Sequence, residues 1–384
     1  MNMGIALRRP PIAPAAVVLG ALMLLGFVVA LIRYASGLGA ISNLNDNYGW
    51  GLWISFDLLC GVALASGAFV TTSIVVLFGG ERYRPLIRPA ILTGFLGYLM
   101  VILALLVDLG RPERIWYLII FWNHHSVMFE VGWCVMLYTF VLALEFSPLV
   151  FTRLGLQPPH RLIHAFIVPL AVAGATLSTL HQSSLGSLYT ILPDQLDKIW
   201  YTPLLPLMFW LTAVAVGPAM VILESTISSR VFRRGLELDL LGGLARWIPF
   251  ILAAYILVKF GDLAGSGELD LLVDWNLESG LFWLEVMGFA FLPMVLFSLP
   301  AVRQSNAWLL FSALLVISGV ILSRFAVSLI AIGRPEFAAS YVPHPLEFAV
   351  TIGIIAWGVA VFWFAARYLP LFVKHTHSPA GEQA

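Results

Sequence analysis

Apolar residues fill ten stretches of this chain, at about 14–35, 51–79, 88–107, 126–147, 163–181, 203–225, 245–261, 280–300, 307–331 and 346–370. Polar and charged residues gather in the short segments between them. Each stretch approaches the roughly 20 residues that carry a helix across a hydrocarbon core. Inside lipid the backbone must satisfy its own hydrogen bonds, so the stretches are read as helices. The pattern predicts an all-α integral membrane protein of about ten transmembrane helices. Residues 1–384 form a single polytopic domain without a large soluble part. Composition agrees, at 60% hydrophobic and 11% charged, with a mean hydropathy of +0.93. A soluble protein of this apolarity would lack a polar coat. Neither a phosphate loop nor a zinc motif occurs, which argues against nucleic-acid binding and soluble hydrolysis.

Charge orients the predicted spans. The first follows Arg8 and Arg9, is long, and leads quickly into the next, which suits a retained helix rather than a cleaved signal. Ten spans put both termini on one side. That side takes 14 of the 21 lysines and arginines, so the positive-inside rule makes it the cytoplasm. Acids run the other way: Glu81, Glu145, Glu224, Glu237, Asp239 and Glu382 fall inside, and the other 15 on or near the outer side. The outer loops Gly37–Trp50, Asp108–His125, His181–Thr202, Asp262–Gly280 and Gly333–Pro345 are longer and more aromatic than most inner ones. They read equally as a docking surface or as an interfacial aromatic belt. Among the inner segments, Thr226–Arg246 is long enough to include a surface helix.

An internal repeat is visible. Asp108-Leu109-Gly110 is echoed by Asp262-Leu263-Ala264, and Phe129-Glu130-Val131 by Leu284-Glu285-Val286, at offsets of 154 and 155. The echo predicts two parallel four-helix bundles, at 51–181 and 203–331, with the first and last spans outside. Gly61, Ala63, Ala65, Gly67, Gly94, Gly97 and Gly174 supply the small surfaces that let helices approach in lipid.

Ionisable side chains inside spans are costly and mark candidate chemistry. Asp57 lies about two turns into the second span, with Trp50 and Trp53 at i−7 and i−4 on one helical face. A carboxylate beneath aromatics suits a planar, redox-active head group. Glu130 opens the fourth span, with Ser126 on its face and His124 and His125 just before. Histidine titrates near neutrality and can pass protons between water and a buried acid. His181-Gln182-Ser183-Ser184 closes the fifth span. Its groups can hydrogen-bond a quinone carbonyl or cap the helix end. Asp108–Arg111 and Lys259–Asp262 have ion-pair spacing, which a helix end would break. Glu285, Arg324 and Glu347 complete the outer set. Inner Glu145 and Glu224, with His164, suggest polar stepping stones across the membrane. Cys60 and Cys134 read as buried thiols and are too few for an iron–sulfur cluster. Only His164 among the histidines is predicted within a span, so a haem ladder is not expected, although one outer haem between His125 and His181 remains an option. No metal site is assigned.

The stretches Trp50-Gly51-Leu52-Trp53-Ile54-Ser55-Phe56-Asp57, Ser126-Val127-Met128-Phe129-Glu130, Ala143-Leu144-Glu145-Phe146 and His181-Gln182-Ser183-Ser184-Leu185-Gly186-Ser187-Leu188 resemble the NrfD/PsrC family of polysulfide-reductase membrane subunits. Within it they are most similar to the HybB-type branch that serves hydrogenase-2-type [NiFe] hydrogenases. The resemblance covers essentially all ten spans. It implies a menaquinone-reactive subunit of a bacterial inner-membrane complex, without haem or an iron–sulfur cluster of its own. The implied partners are a ferredoxin-like iron–sulfur subunit and the hydrogenase large and small subunits on the outer side. Trp50, Asp57, Glu130, His181 and Gln182 are the positions it assigns to quinone binding or protonation. Trp53, Asp108 and His125 join them from the reading of the residues. His124 and His125 fall outside the family pattern. A polysulfide or other molybdenum oxidoreductase as partner is the alternative. A transporter with a midplane site is disfavoured, because the charges cluster near helix ends.

Overall fold

The computed structural model describes residues 13–45, 50–193, 195–274, 276–330, 332 and 341–372. Arg8, Arg9 and Glu382, named above, lie outside the described residues, as do Arg334 and Lys374, which are among the 21 lysines and arginines. Among those described, no β-strand occurs and nearly every long element is a helix. In chain order these are α1 (Pro14–Ser36), α2 (Trp53–Leu77), α3 (Glu81–Asp108), α4 (Val127–Leu154), α5 (Gln157–Ala165), α6 (Ile167–Thr190), α7 (Leu205–Val231), α8 (Leu238–Ser266), α9 (Leu277–Ser298), α10 (Asn306–Ile330) and α11 (Pro345–Tyr368). Nine of them are long and apolar enough to cross a membrane, and α5 with α6 forms a tenth candidate bent by 60°.

Two helices hold the middle. α2 packs on α3, α6, α7 and α10, and α7 on α6, α8 and α10. Where α2 and α7 cross, glycine lets the backbones meet. A Cβ on Gly67 would stand 3.2 Å from the Gly217 carbonyl oxygen. Ser66 Oγ seals the crossing by donating to Ala213 O at 2.7 Å. Small residues also join α2 to α3, because Cβ atoms on Gly94 and Gly97 would come within 2.5 Å of Ala68 Cβ and 2.8 Å of Ala65 Cβ. These seams follow from dispersion and close approach, since lipid offers no hydrophobic reward for burying one apolar helix on another.

The first and last helices pair at the periphery. α1 lies along α11, which packs in turn on α3. The seam has glycine on both sides, with the position of a Gly26 Cβ only 2.8 Å from Gly353 Cα. Arg33, at the end of α1, is buried. It donates from Nε to Val107 O at 2.7 Å and from Nη2 to Leu109 O. A cation is thus set on carbonyls that the end of α3 leaves without helical partners.

The fifth apolar stretch needs correction. It was expected at 163–181, but the helix runs Ile167–Thr190 and breaks from α5 at Phe166. The polar run at His181 lowers local hydropathy and reads as an exit. Because protein surrounds it, the helix continues nine residues further. The inner segment after α7 does hold a short helix, Leu238–Leu244, which leads into the rest of α8.

Candidate functional site

The polar groups do not form one outer shell. They separate into three largely buried clusters on different sets of helices. The first lies among α2, α3, α4 and α6. His181 and Gln182 are fully enclosed, and His181 is nine residues in from the end of α6, roughly 13 Å along its axis. That placement overturns the expectation of a run closing the span at its surface. The Tyr98 hydroxyl lies 2.8 Å from His181 Nδ1. No other acceptor for that hydroxyl is found among the described residues, and with Tyr98 as donor the imidazole proton sits on Nε2. His181 Nε2 is buried without a partner, as is Oε1 of Gln182, whose Nε2 donates to Val62 O at 3.2 Å. A donor and an acceptor on adjacent residues are therefore left open in a place where an unmade hydrogen bond costs about 1–3 kcal/mol.

One turn along α6, Ser184 Oγ lies 2.6 Å from Glu130 Oε1 and 2.7 Å from Leu180 O. The hydroxyl has one proton for two acceptors, so it bonds both only if Glu130 supplies a proton of its own. Glu130 stands in the first turn of α4, exposed at the rim, and Ser126 caps that helix by accepting from Phe129 N at 3.4 Å. Exposure thus falls from Glu130 through Ser184 to His181. The Glu130–Ser184 contact brings a carboxyl from the rim to within one helical turn of the enclosed imidazole. Tyr138 packs edge-on against Tyr98, with ring centroids 4.7 Å apart, and closes the cluster.

The second cluster faces away from the first, toward α11. Asp57 accepts from Thr351 Oγ1 at 2.7 Å and is buried. Trp53 shares this side, one turn before Asp57, and Trp50 does not, because it precedes the helix that opens at Leu52. Trp53 packs among Val29, Ile41, Ala104 and Val350, whereas Trp50 lies edge-on to Tyr189, 5.3 Å away. Asp108 ends α3 half-buried. The chain turns to an extended conformation at Leu109, and no Asp108–Arg111 ion pair forms among the described residues. Glu347 is enclosed and accepts from the backbone N–H groups of Asn43 and His344, at 3.0 Å each, and from the Tyr341 hydroxyl.

The third cluster occupies the other half. Lys259 Nζ lies 2.5 Å from Glu285 Oε2, so its partner is not the Asp262 that local spacing suggested. Tyr255 donates to the same carboxylate, and the ammonium sits 4.6 Å from the ring centroids of both Trp200 and Phe282. Arg324 is fully buried, stacks 3.5 Å over the Phe209 ring, and donates to Phe209 O and Thr212 Oγ1 at 2.9 Å each. A small cleft lined by Trp200, Tyr255, Lys259, Asp262 and Val327 runs beside this pair.

The remaining candidates are dispersed. His124 and His125 sit on an exposed turn, ring against ring, and His125 does not reach His181. His164 is exposed on α5, which removes it from any buried route. Glu145 and both cysteines are buried. Bis-histidine ligation of a haem needs two imidazoles facing one space. Among the described histidines only His181 is buried, and its Nδ1 is taken by Tyr98, so the described histidines do not form a facing pair for a haem. Tyr98, Thr351 and Tyr255 were missed by sequence reasoning. A hydroxyl deep in an apolar span, rather than at its ends, was the available signal.

Fold and clusters together define an all-helical integral membrane protein that encloses acids, an imidazole and phenols in hydrogen-bonded sets. The NrfD family model, described as polysulphide reductase, matches residues 41–334. A probable Ni/Fe-hydrogenase 2 b-type cytochrome subunit of Escherichia coli is 33% identical over 359 residues, covering 92% of this protein and 91% of that one. The integral membrane subunit of a menaquinone reductase from Nitratidesulfovibrio vulgaris is 30% identical, covering 90% and 88%. The C subunit of polysulfide reductase from Wolinella succinogenes is 26% identical, covering 69% and 88%. The chain belongs to the NrfD family.

Proposed function

We propose that this chain is the quinone-reactive membrane subunit of a periplasm-facing [NiFe] hydrogenase complex in a bacterial inner membrane. It would take electrons from a ferredoxin-like iron–sulfur subunit and pass them to menaquinone, with both termini in the cytoplasm. The observation that carries the reading is the open pair in the first cluster: a buried imidazole N–H and a buried amide oxygen, one turn from the Glu130–Ser184 contact. A quinone carbonyl accepts from the first, and the hydroxyl of the reduced ring donates to the second. Reduction takes two electrons and two protons. The partner supplies the electrons. Glu130 takes protons from the rim, Ser184 relays them, and His181, oriented by Tyr98, delivers at Nε2. Asp57 with Thr351, and Asp108 and Trp53 beside them, would form the wall toward α11, and Trp50 would stand on the Tyr189 side. The two four-helix bundles, 51–181 and 203–331, would place this site in the first.

The relatives' names support a redox complex and a quinone, and they also keep a second reading in view. The likeness to the polysulfide reductase subunit favours a molybdenum enzyme as partner, with the quinol oxidised instead. Metal analysis of subunits co-purified in mild detergent separates the two: nickel with iron supports the hydrogenase, and molybdenum or tungsten moves the protein to the other partner. Recovery of the protein alone, without metals, would reopen the transporter reading. For the site, Glu130→Gln and His181→Asn should each slow quinone turnover at least tenfold while the complex still assembles and reduces artificial acceptors. Unchanged quinone turnover in both assembled variants would remove the site assignment.

A further inference from the structure

The short helix α5 is built unlike any of the spans. Gly155, at φ +71°, ends α4 with Leu156 N bonded back to Phe151 O at 2.9 Å. Pro158 and Pro159 then open α5 in its first turn, where proline is tolerated because those N–H groups lack helical acceptors. At Phe166 the chain bends by 60° into α6. That helix has 24 residues and so rises roughly 36 Å, enough to cross a bilayer unaided. α5 is surplus to the crossing and lies at one end of α4 and α6.

Its residues separate cleanly by face. At 100° per residue, Gln157, His160, Arg161 and His164 occupy one arc of about 100°, and Pro158, Leu162 and Phe166 lie outside it, with Phe166 opposite its centre. Leu154, Leu156, Leu162 and Phe166 are all exposed, at 63%, 45%, 59% and 53%. Arg153 and Arg161 are exposed too, and neither forms an ion pair among the described residues. No aspartate or glutamate occurs between Phe146 and Pro193. An exposed apolar stripe beside an uncompensated cationic stripe fits a bilayer boundary, where acyl chains meet one face and phosphates the other. Water would leave the apolar stripe unsatisfied, and hydrocarbon would do the same to the arginines.

We infer that α5 lies in the headgroup layer of the membrane and binds anionic phospholipid, with Arg153 and Arg161 on the phosphates and Leu162 and Phe166 among the acyl chains. The charge of the lipid follows from the absence of any acid on this segment. Each arginine near an anionic bilayer surface contributes on the order of a fivefold gain in affinity.

The test uses the full-length protein in its complex, purified in mild detergent and offered phosphatidylglycerol or phosphatidylcholine, with retained lipid counted by native mass spectrometry. The expected result is preferential retention of phosphatidylglycerol, reduced at least fivefold in Arg153→Gln/Arg161→Gln and unchanged for phosphatidylcholine. Both arginines are exposed and outside the quinone-site proposal, so the variant should assemble. Leu162→Gln should weaken retention of both lipids. Equal retention by the wild type and the arginine variant would overturn the inference. So would loss of phosphatidylglycerol to millimolar inorganic phosphate, which would mark a free-anion site.

Discussion

Tyr98→Phe tests the proposed site with the smallest change available. The phenyl ring keeps its edge contact with Tyr138, at 4.7 Å, and its place 5.5 Å from the His181 ring. Only the hydroxyl leaves, and with it the donor 2.8 Å from Nδ1. His181 has no water to turn to, being fully enclosed. The lost bond should therefore cost about 1–3 kcal/mol of stability, visible as a lower unfolding temperature in detergent. The kinetic effect has a different origin. Without Tyr98 the proton is no longer held on Nε2 and the ring is free to turn. If the bond contributed about 1–1.4 kcal/mol to that orientation, kcat for quinone falls five- to tenfold. Steady-state turnover with a soluble menaquinone analogue, at saturating electron donor, separates kcat from KM. A variant with a lowered unfolding temperature but wild-type kcat would refute the reasoning, because the bond would then be structural alone.

Further expectations follow from the other clusters. Lys259→Met should destabilise by about 3–5 kcal/mol, since it leaves the Glu285 carboxylate enclosed without its cation. Adding Glu285→Gln should recover part of that loss, and additivity within about 0.5 kcal/mol in a double-mutant cycle would contradict the pairing. Gly94→Val puts a branched side chain where even a Cβ meets Ala68 Cβ at 2.5 Å, so α2 and α3 should separate and the protein lose about 1–3 kcal/mol, read from thermal unfolding. Arg33→Gln strips the buried cation from the end of α3 and should cost about 1–2 kcal/mol by the same measure, with quinone turnover retained.

How far the fold could be read ahead depends on which interactions set it. Span positions were legible because hydrocarbon imposes length and apolarity on every helix alike. The fifth span slipped because His181, Gln182 and Ser184 are polar yet wholly inside, and hydropathy cannot tell a buried polar turn from an exit. The Asp57 face failed only at Trp50, for a local reason: that residue precedes the helix, which opens at Leu52, so an ideal-helix wheel does not reach it. Lys259 illustrates a third limit. Its neighbour in sequence was Asp262, but Glu285 on the adjacent helix won through a shorter contact and an aromatic surround. Glu130 and Glu285 were both legible as repeat-related acids. Their partners Ser184, Tyr255 and Lys259 needed the packing.

The seam between α1 and α11 bears on how the protein is made. The two glycines that meet there, Gly26 and Gly353, stand at opposite ends of the sequence. α1 otherwise faces outward, with only 11% of its apolar window buried. At about 5–20 residues per second, the ribosome needs roughly 15–70 s to deliver the last helix after the first has emerged. Arg33 can find the end of α3 early, but the glycine seam must wait for almost the whole polypeptide. During that interval the first helix sits in the membrane as an open glycine surface, available to insertion factors and quality-control proteases. A truncation that removes α11 would prolong that exposure indefinitely, so its first consequence should be degradation of the protein rather than a dead quinone site.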